Sequence, residues 1–409
     1  MLALILLAGC LSGESVRTEK AQGQAEVIPT PTSRPAQLFE DSFWYQKLGD
    51  AGRDELSDRA MLTLQLAAEQ GVALAIDMWT MPVYFAGEGT PRYEVPLLID
   101  WTPLPQMALR DVPIPENARE DPATAAGDIE SILLLGREAE LGDASLVIID
   151  TTTDPWTEID LWQARQVDES GRRVRGEERK GARWVASWAN FISLESEGIF
   201  RCGLSGRGSG ASYLAGMIWP GELEKGIDHK LAVALPFNKA GVVLEPFTET
   251  DGFLTDEEMA RIYEEETGRR GDAVAIPEGA VLRLDPGIDL DSWIVKDPET
   301  GESRRLKPYE KVIARALQEY GAVNIDNSMV GIQLYAINSI SYEEDPYLPV
   351  VGERNEFGAV MLPEELFTEM YLVEMAEPAQ VRWGLTKEQW SRYSCGGEAC
   401  SPPAYLVCG

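Results

Sequence analysis

Leu146-Val147-Ile148-Ile149 and Leu231-Ala232-Val233-Ala234-Leu235 are the stretches on which the fold turns. Both are shorter than an ordinary helix, and they have counterparts in Val83-Tyr84-Phe85 and Val95-Pro96-Leu97-Leu98-Ile99. Short apolar runs cut by Pro and Gly read as strands and turns rather than as strands alternating with crossover helices. The expectation is a mostly β body, a β-sandwich or jelly roll, with a few peripheral helices.

Three helices are expected around those strands. Asp54 to Gly71 carries Leu56, Ala60, Leu62, Leu64, Leu66 and Ala67 ahead of a glycine stop. Pro308 opens a second, with Val312, Ala316, Leu317 and Tyr320 at helical spacing and Gly321 closing it. Asp256 to Thr267 is acidic and reads as a helical surface insertion. After the second helix come two strand-like runs, 322–328 and 331–336, which read as a β-hairpin around a polar turn.

Outward from the body, Met1 to Gly9 is an apolar run ending in small residues before Cys10, the shape of a lipoprotein signal. Its similarity to such signals implies lipidation of Cys10 and attachment to a membrane through that lipid alone. Leu11 to Pro35 is polar and Pro-containing and reads as a flexible tether, which leaves 36–409 as a single β-rich body in an extracytoplasmic, envelope-anchored protein. In that oxidising setting Cys202, Cys395, Cys400 and Cys408 are an even set, expected to form two disulfides with the connectivity open.

The net charge of −32 speaks against nucleic acid, whose phosphates need a concentrated basic face, and it disfavours a polyanionic glycan. With one histidine, His229, multi-histidine metal sites are excluded, and neither metal nor cofactor is expected. The glycine-rich run from Cys202 to Tyr213 matches neither the phosphate-cradling loop nor the serine-hydrolase elbow, so its glycines are read as allowing close packing. That weakens an esterase built on Ser205 or Ser209 with His229. Arg172, Arg173, Arg175, Arg179, Lys180 and Arg183 read as a solvated hairpin tip.

The densest aromatic window, from Asp150 to Pro220, holds five of the eleven tryptophans. Inside it, strand alternation along Glu158-Ile159-Asp160-Leu161-Trp162-Gln163 places Glu158, Asp160 and Trp162 on one face. Two carboxyls on one sheet face beside aromatics suit glycoside chemistry, one acting as acid and one as base or nucleophile. The candidate acid/base set is therefore Glu158, Asp160 and His229, with Trp162, Gln163, Trp188, Ser209 and Trp219 as sugar contacts. An exposed polar strand face over core tryptophans is the plainer account of the same pattern.

Several runs chained together resemble a family of secreted bacterial proteins often found near carbohydrate-active modules. They are Tyr93-Glu94-Val95-Pro96, Asp160-Leu161-Trp162-Gln163-Ala164, Gly208-Ser209-Gly210 through Leu214-Ala215-Gly216 to Trp219-Pro220-Gly221-Glu222-Leu223, Ile227-Asp228-His229, Pro277-Glu278-Gly279-Ala280, Leu282-Arg283-Leu284-Asp285-Pro286 and Ala314-Arg315-Ala316-Leu317-Gln318-Glu319-Tyr320-Gly321. The likeness spans roughly Phe43 to Asn338. It implies export, a β-rich body and an association with glycans. It also implies a histidine in the strand lead-in where this chain has Asp143-Ala144-Ser145-Leu146, so a two-histidine site is not expected here. The functional expectation is a glycoside hydrolase or polysaccharide lyase taking a polysaccharide or oligosaccharide; the alternative is a non-catalytic glycan-binding or envelope-interaction lipoprotein.

Overall fold

The computed structural model describes residues 27–97, 107–123, 142–170, 173–174, 179, 181–202 and 205–381. The chain is mostly β, as its short apolar runs require. Leu231–Leu235 is buried at every position, and it lies centrally in a seven-stranded sheet. The strands run in the order Ala359–Met361, Val72–Ala75, Ile332–Tyr335, Leu231–Leu235, Ala322–Asn327, Val281–Leu284, Met370–Leu372.

The expected hairpin between Ala322–Asn327 and Ile332–Tyr335 is not formed. Leu231–Leu235 inserts between the two, parallel to the first and antiparallel to the second. A strand apolar on both faces gains most from the sheet interior, where it is covered on both sides, and it displaces the local pairing. Val72–Ala75 likewise runs parallel to Ile332–Tyr335.

Each face of this sheet has its own cover. Leu231, Val233 and Leu235 pack against Ala60, Leu64 and Ala67 of the helix Ser57–Glu69 and against Ile313 and Leu317 of the helix Pro308–Glu319. Proline at the start of the second helix and Gly321 after it, with φ +82°, supply the predicted boundaries. On the opposite face Ala232, Ala234, Val323 and Ile325 meet Val83, Phe85, Val147 and Ile149 of a four-stranded sheet and the segment 211–219. That second sheet has the order Val83–Ala86, Leu146–Asp150, Thr157–Trp162, Trp188–Ser193. Its outer face, with Ile148, Ile159 and Leu161, is sealed by Val95, Leu109, Trp184 and Trp188.

The acidic helix Asp256–Thr267 has a Thr255/Glu258 capping box and a small core of its own built on Met259 and Tyr263. Part of the expected tether is docked on the body rather than free. Ile28 bridges to Phe85, the Thr30 hydroxyl donates to the Val83 carbonyl at 2.7 Å, and Gly221 N donates to Thr32 O at 2.8 Å. Among the described residues no helix is long and apolar enough to cross a membrane. Cys10, Cys395, Cys400 and Cys408 lie outside the described residues. Cys202 is fully buried and its sulfur is engaged in a disulfide.

Candidate functional site

Glu158 and Asp160 do share one face of the strand Thr157–Trp162, but that face is an interior one. Neither carboxyl is more than 2% exposed, so the expected solvent-facing pair is corrected to a buried one. The cause is the segment that crosses between the sheets: Leu214 N donates to Glu158 Oε1 and Tyr213 N to Asp160 Oδ2, both at 3.0 Å. Glu158 Oε2 and Asp160 Oδ1 have no hydrogen-bond partner. Burial, aided by the neighbouring Asp160, holds Glu158 well above the usual carboxylate range, and burial pushes Asp160 up to about 6.

The expected sugar contacts are mostly enclosed as well. Trp188 is 3% exposed and packs in the outer cluster, and Trp219 and Ser209 are fully buried. Gln163, also buried, accepts from the Ser187 hydroxyl at 2.6 Å. A side chain with no open face cannot stack on a sugar, because its apolar area is already spent on the core. Only Trp162 is partly open, and its Nε1 donates to Asp143 Oδ1 at 3.4 Å.

His229 belongs to another corner. Its Nε2 lies 3.3 Å from Glu222 Oε2 and its Nδ1 2.8 Å from the Lys230 carbonyl. Glu222 in turn accepts from Trp219 N at 2.8 Å and from Arg34 Nε at 3.3 Å, while Arg34 Nη2 reaches Asp228 at 2.7 Å. Lys230 Nζ donates to the carbonyls of Phe43 and Gln46. Every buried ionisable or imidazole group there is engaged. An open depression of ≈ 630 Å³ beside this corner is lined by Arg34, Glu222 and Asp228, which are committed to one another.

The structure brings together a group that the sequence did not point to. Arg207, from the glycine-rich segment, has a wholly buried side chain. Its guanidinium carbon sits 4.2 Å from the Tyr335 ring centroid, and its Nη2 donates to the Tyr213 carbonyl at 3.1 Å. Its Nε and Nη1 have no hydrogen-bond partner, and Nη1 stands 3.9 Å from Asp326 Oδ2. Asp326, at the end of the strand Ala322–Asn327, accepts from Gly208 N at 3.3 Å and keeps 19% of its side chain open to solvent. Burial first, and Asp251 next, raise Asp326 well above the usual carboxylate range.

Asp251 is exposed; its Oδ1 accepts from Asn327 Nδ2 at 2.6 Å and its N–H donates to Glu278 Oε2 at 3.1 Å. Asp143 has an exposed surface, yet burial of its carboxyl raises it above the usual carboxylate range, and it lies within electrostatic reach of both Arg207 and Asp251. Three carboxyls that touch solvent, Asp143, Asp251 and Asp326, are therefore coupled to one another, and Asp143 and Asp326 also to one sequestered arginine. Among the described residues no group of three or more His, Cys, Asp or Glu is arranged to hold a metal ion.

The glycines of the segment serve packing, as expected. A Cβ on Gly206 would lie 1.9 Å from the Tyr213 hydroxyl, and one on Gly208 would lie 2.2 Å from Asp251 Oδ1. The basic stretch 172–183 is not simply a solvated tip: Arg173 and Arg179 each donate to the buried Glu120, both at 2.9 Å. Comparison with protein-family models, curated proteins and solved structures finds no match.

Proposed function

We propose that the chain acts on a neutral polysaccharide or oligosaccharide at the cluster around Arg207. The observation that carries this reading is the coupled set of solvent-touching carboxyls Asp143, Asp251 and Asp326, two of which face a buried guanidinium. Carboxylates accept hydrogen bonds from sugar hydroxyls, and the partly open Trp162 beside Asp143 offers an apolar ring edge. A carboxyl held protonated by its surroundings next to others that face water is the division of labour that glycoside hydrolysis uses.

On this reading Asp326 is the acid that protonates the leaving oxygen, and an exposed neighbour serves the attacking water. Glu158, Asp160 and His229 then have structural roles, since the first two are sealed and the third is fully engaged. Envelope attachment through Cys10 belongs to the same proposal and rests on the apolar run before that residue. So does a second disulfide among the C-terminal cysteines.

Screening the folded body against neutral plant, algal and bacterial glycans, for both binding and cleavage, tests the reading. Binding of a neutral glycan that is lost in Asp326→Asn supports it. Binding confined to polyanionic glycans, or indifferent to that substitution, overturns it.

A further inference from the structure

Glu278 is fully buried, and only one of its carboxyl oxygens is satisfied. Oε2 accepts from Asp251 N, whereas Oε1 has no hydrogen-bond partner. The unsatisfied oxygen points at Asp251. The place that a Cβ on Gly208 would occupy is 2.5 Å from Glu278 Oε1 and 2.2 Å from Asp251 Oδ1, so the two oxygens flank one small space that exists because residue 208 has no side chain. Two carboxylates so placed cannot both be ionised without a cation between them.

From this geometry we infer that Asp251 and Glu278 share one proton. Asp251 is the exposed member that exchanges protons with bound ligand and water, and Glu278 is its positioning partner. The groups facing the pair are Asp326 and Thr250 on the Glu278 side, and Asn327 and Asp143 on the Asp251 side. No cation is bonded to either carboxyl among the described residues. Burial, with Asp251 adding to it, holds Glu278 well above the usual carboxylate range.

The catalytic part rests on the function proposed above. Asp326 gives its proton to the glycosidic oxygen as the bond from the anomeric carbon breaks with its electron pair leaving on that oxygen. Water supplies the new hydroxyl, and its proton passes to Asp251. Solvent exchange from Asp251 back to Asp326 closes the cycle with nothing oxidised or reduced.

Two variants test the pair with no substrate needed. Glu278→Gln keeps an acceptor for Asp251 N and a permanent donor toward Oδ1, as a protonated glutamic acid does. Above the ordinary carboxylate range the wild type takes up a proton on folding that Glu278→Gln does not, so the two slopes of stability against pH should differ by up to one proton until the raised value of Glu278 is passed. Asp251→Asn, at an exposed position, should shift the same titration down by roughly one pH unit or more.

Equal slopes in wild type, Glu278→Gln and Asp251→Asn overturn the pair whatever the chain binds. With a substrate in hand, Glu278→Gln should hold turnover within about tenfold and Asp251→Asn should lower it by about 10² to 10⁴-fold. A changed slope without any glycan response leaves the pair standing and removes the glycan reading. Turnover unaffected by Asp251→Asn removes the catalytic role alone.

Discussion

The His229 corner and the Arg207 cluster are both buried concentrations of charge, and they differ in how completely they are satisfied. Around His229, imidazole, carboxylate, guanidinium and ammonium each have a partner, and the unpartnered buried atoms are the neutral Nε1 groups of Trp44 and Trp219. Around Arg207, two guanidinium nitrogens and oxygens of Glu278, Glu158 and Asp160 have none. Burying a polar atom without a partner costs about 1 to 3 kcal/mol, more for a charge, so a fold that tolerates several in one place keeps them for a use other than stability. The difference teaches that a lone histidine beside acids can be structural cement, while the groups assigned work are the carboxyls Asp143, Asp251 and Asp326 that keep contact with solvent.

The largest effect that would sharpen this contrast is expected at Arg207. Arg207→Met strips the only cation within 4 Å of Asp326 among the described residues and removes the stack on Tyr335. Loss of the charged hydrogen bond to the Tyr213 carbonyl together with that stack costs about 3 to 5 kcal/mol, measurable by urea unfolding at pH 7. A loss no greater than that of a change at His229 would erase the contrast.

Next comes the sealed pair Glu158 and Asp160, whose folded values lie above those of the unfolded chain. Its contribution is fully present below the ordinary carboxylate range and is lost as pH rises through the raised values, Asp160's being about 6. Glu158→Gln mimics the protonated acid without that cost. It should gain on the wild type by about 1.4 kcal/mol per pH unit above the ordinary range, until the raised value is passed. Thermal melts from pH 5 to 8 check this; a constant difference between the two proteins would mean that the pair holds no extra proton. The smallest effect is expected for His229→Gln, about 1 to 2 kcal/mol from weakened hydrogen bonds to Glu222 and the Lys230 carbonyl, with no change in ligand response.

Much of the fold could be read locally. Proline and glycine bounded the helix Pro308–Glu319, and the short all-apolar run Leu231–Leu235 read as a strand. Local reading failed where long-range insertion decided the outcome, as when that same strand split the expected hairpin. Alternation correctly paired Glu158 with Asp160 but could not say which face meets water, because the covering turn Ser212–Leu214 is more than fifty residues away in sequence. The site was less legible than the fold. Arg207, Asp251, Glu278 and Asp326 come from four separate segments, and only the sheet order brings them together. The one local hint was an arginine set between glycines, Gly206-Arg207-Gly208, in a segment whose later residues are strongly apolar.

Whether the working site lies at the Arg207 cluster or at His229 is decided by one comparison. Wild type, Asp326→Asn and His229→Gln are assayed for cleavage of a neutral glycan that the screen selects. Asp326→Asn should lose about 10² to 10⁴-fold in turnover while His229→Gln stays within about threefold of wild type. Turnover abolished by His229→Gln and retained by Asp326→Asn would contradict a working site at the Arg207 cluster.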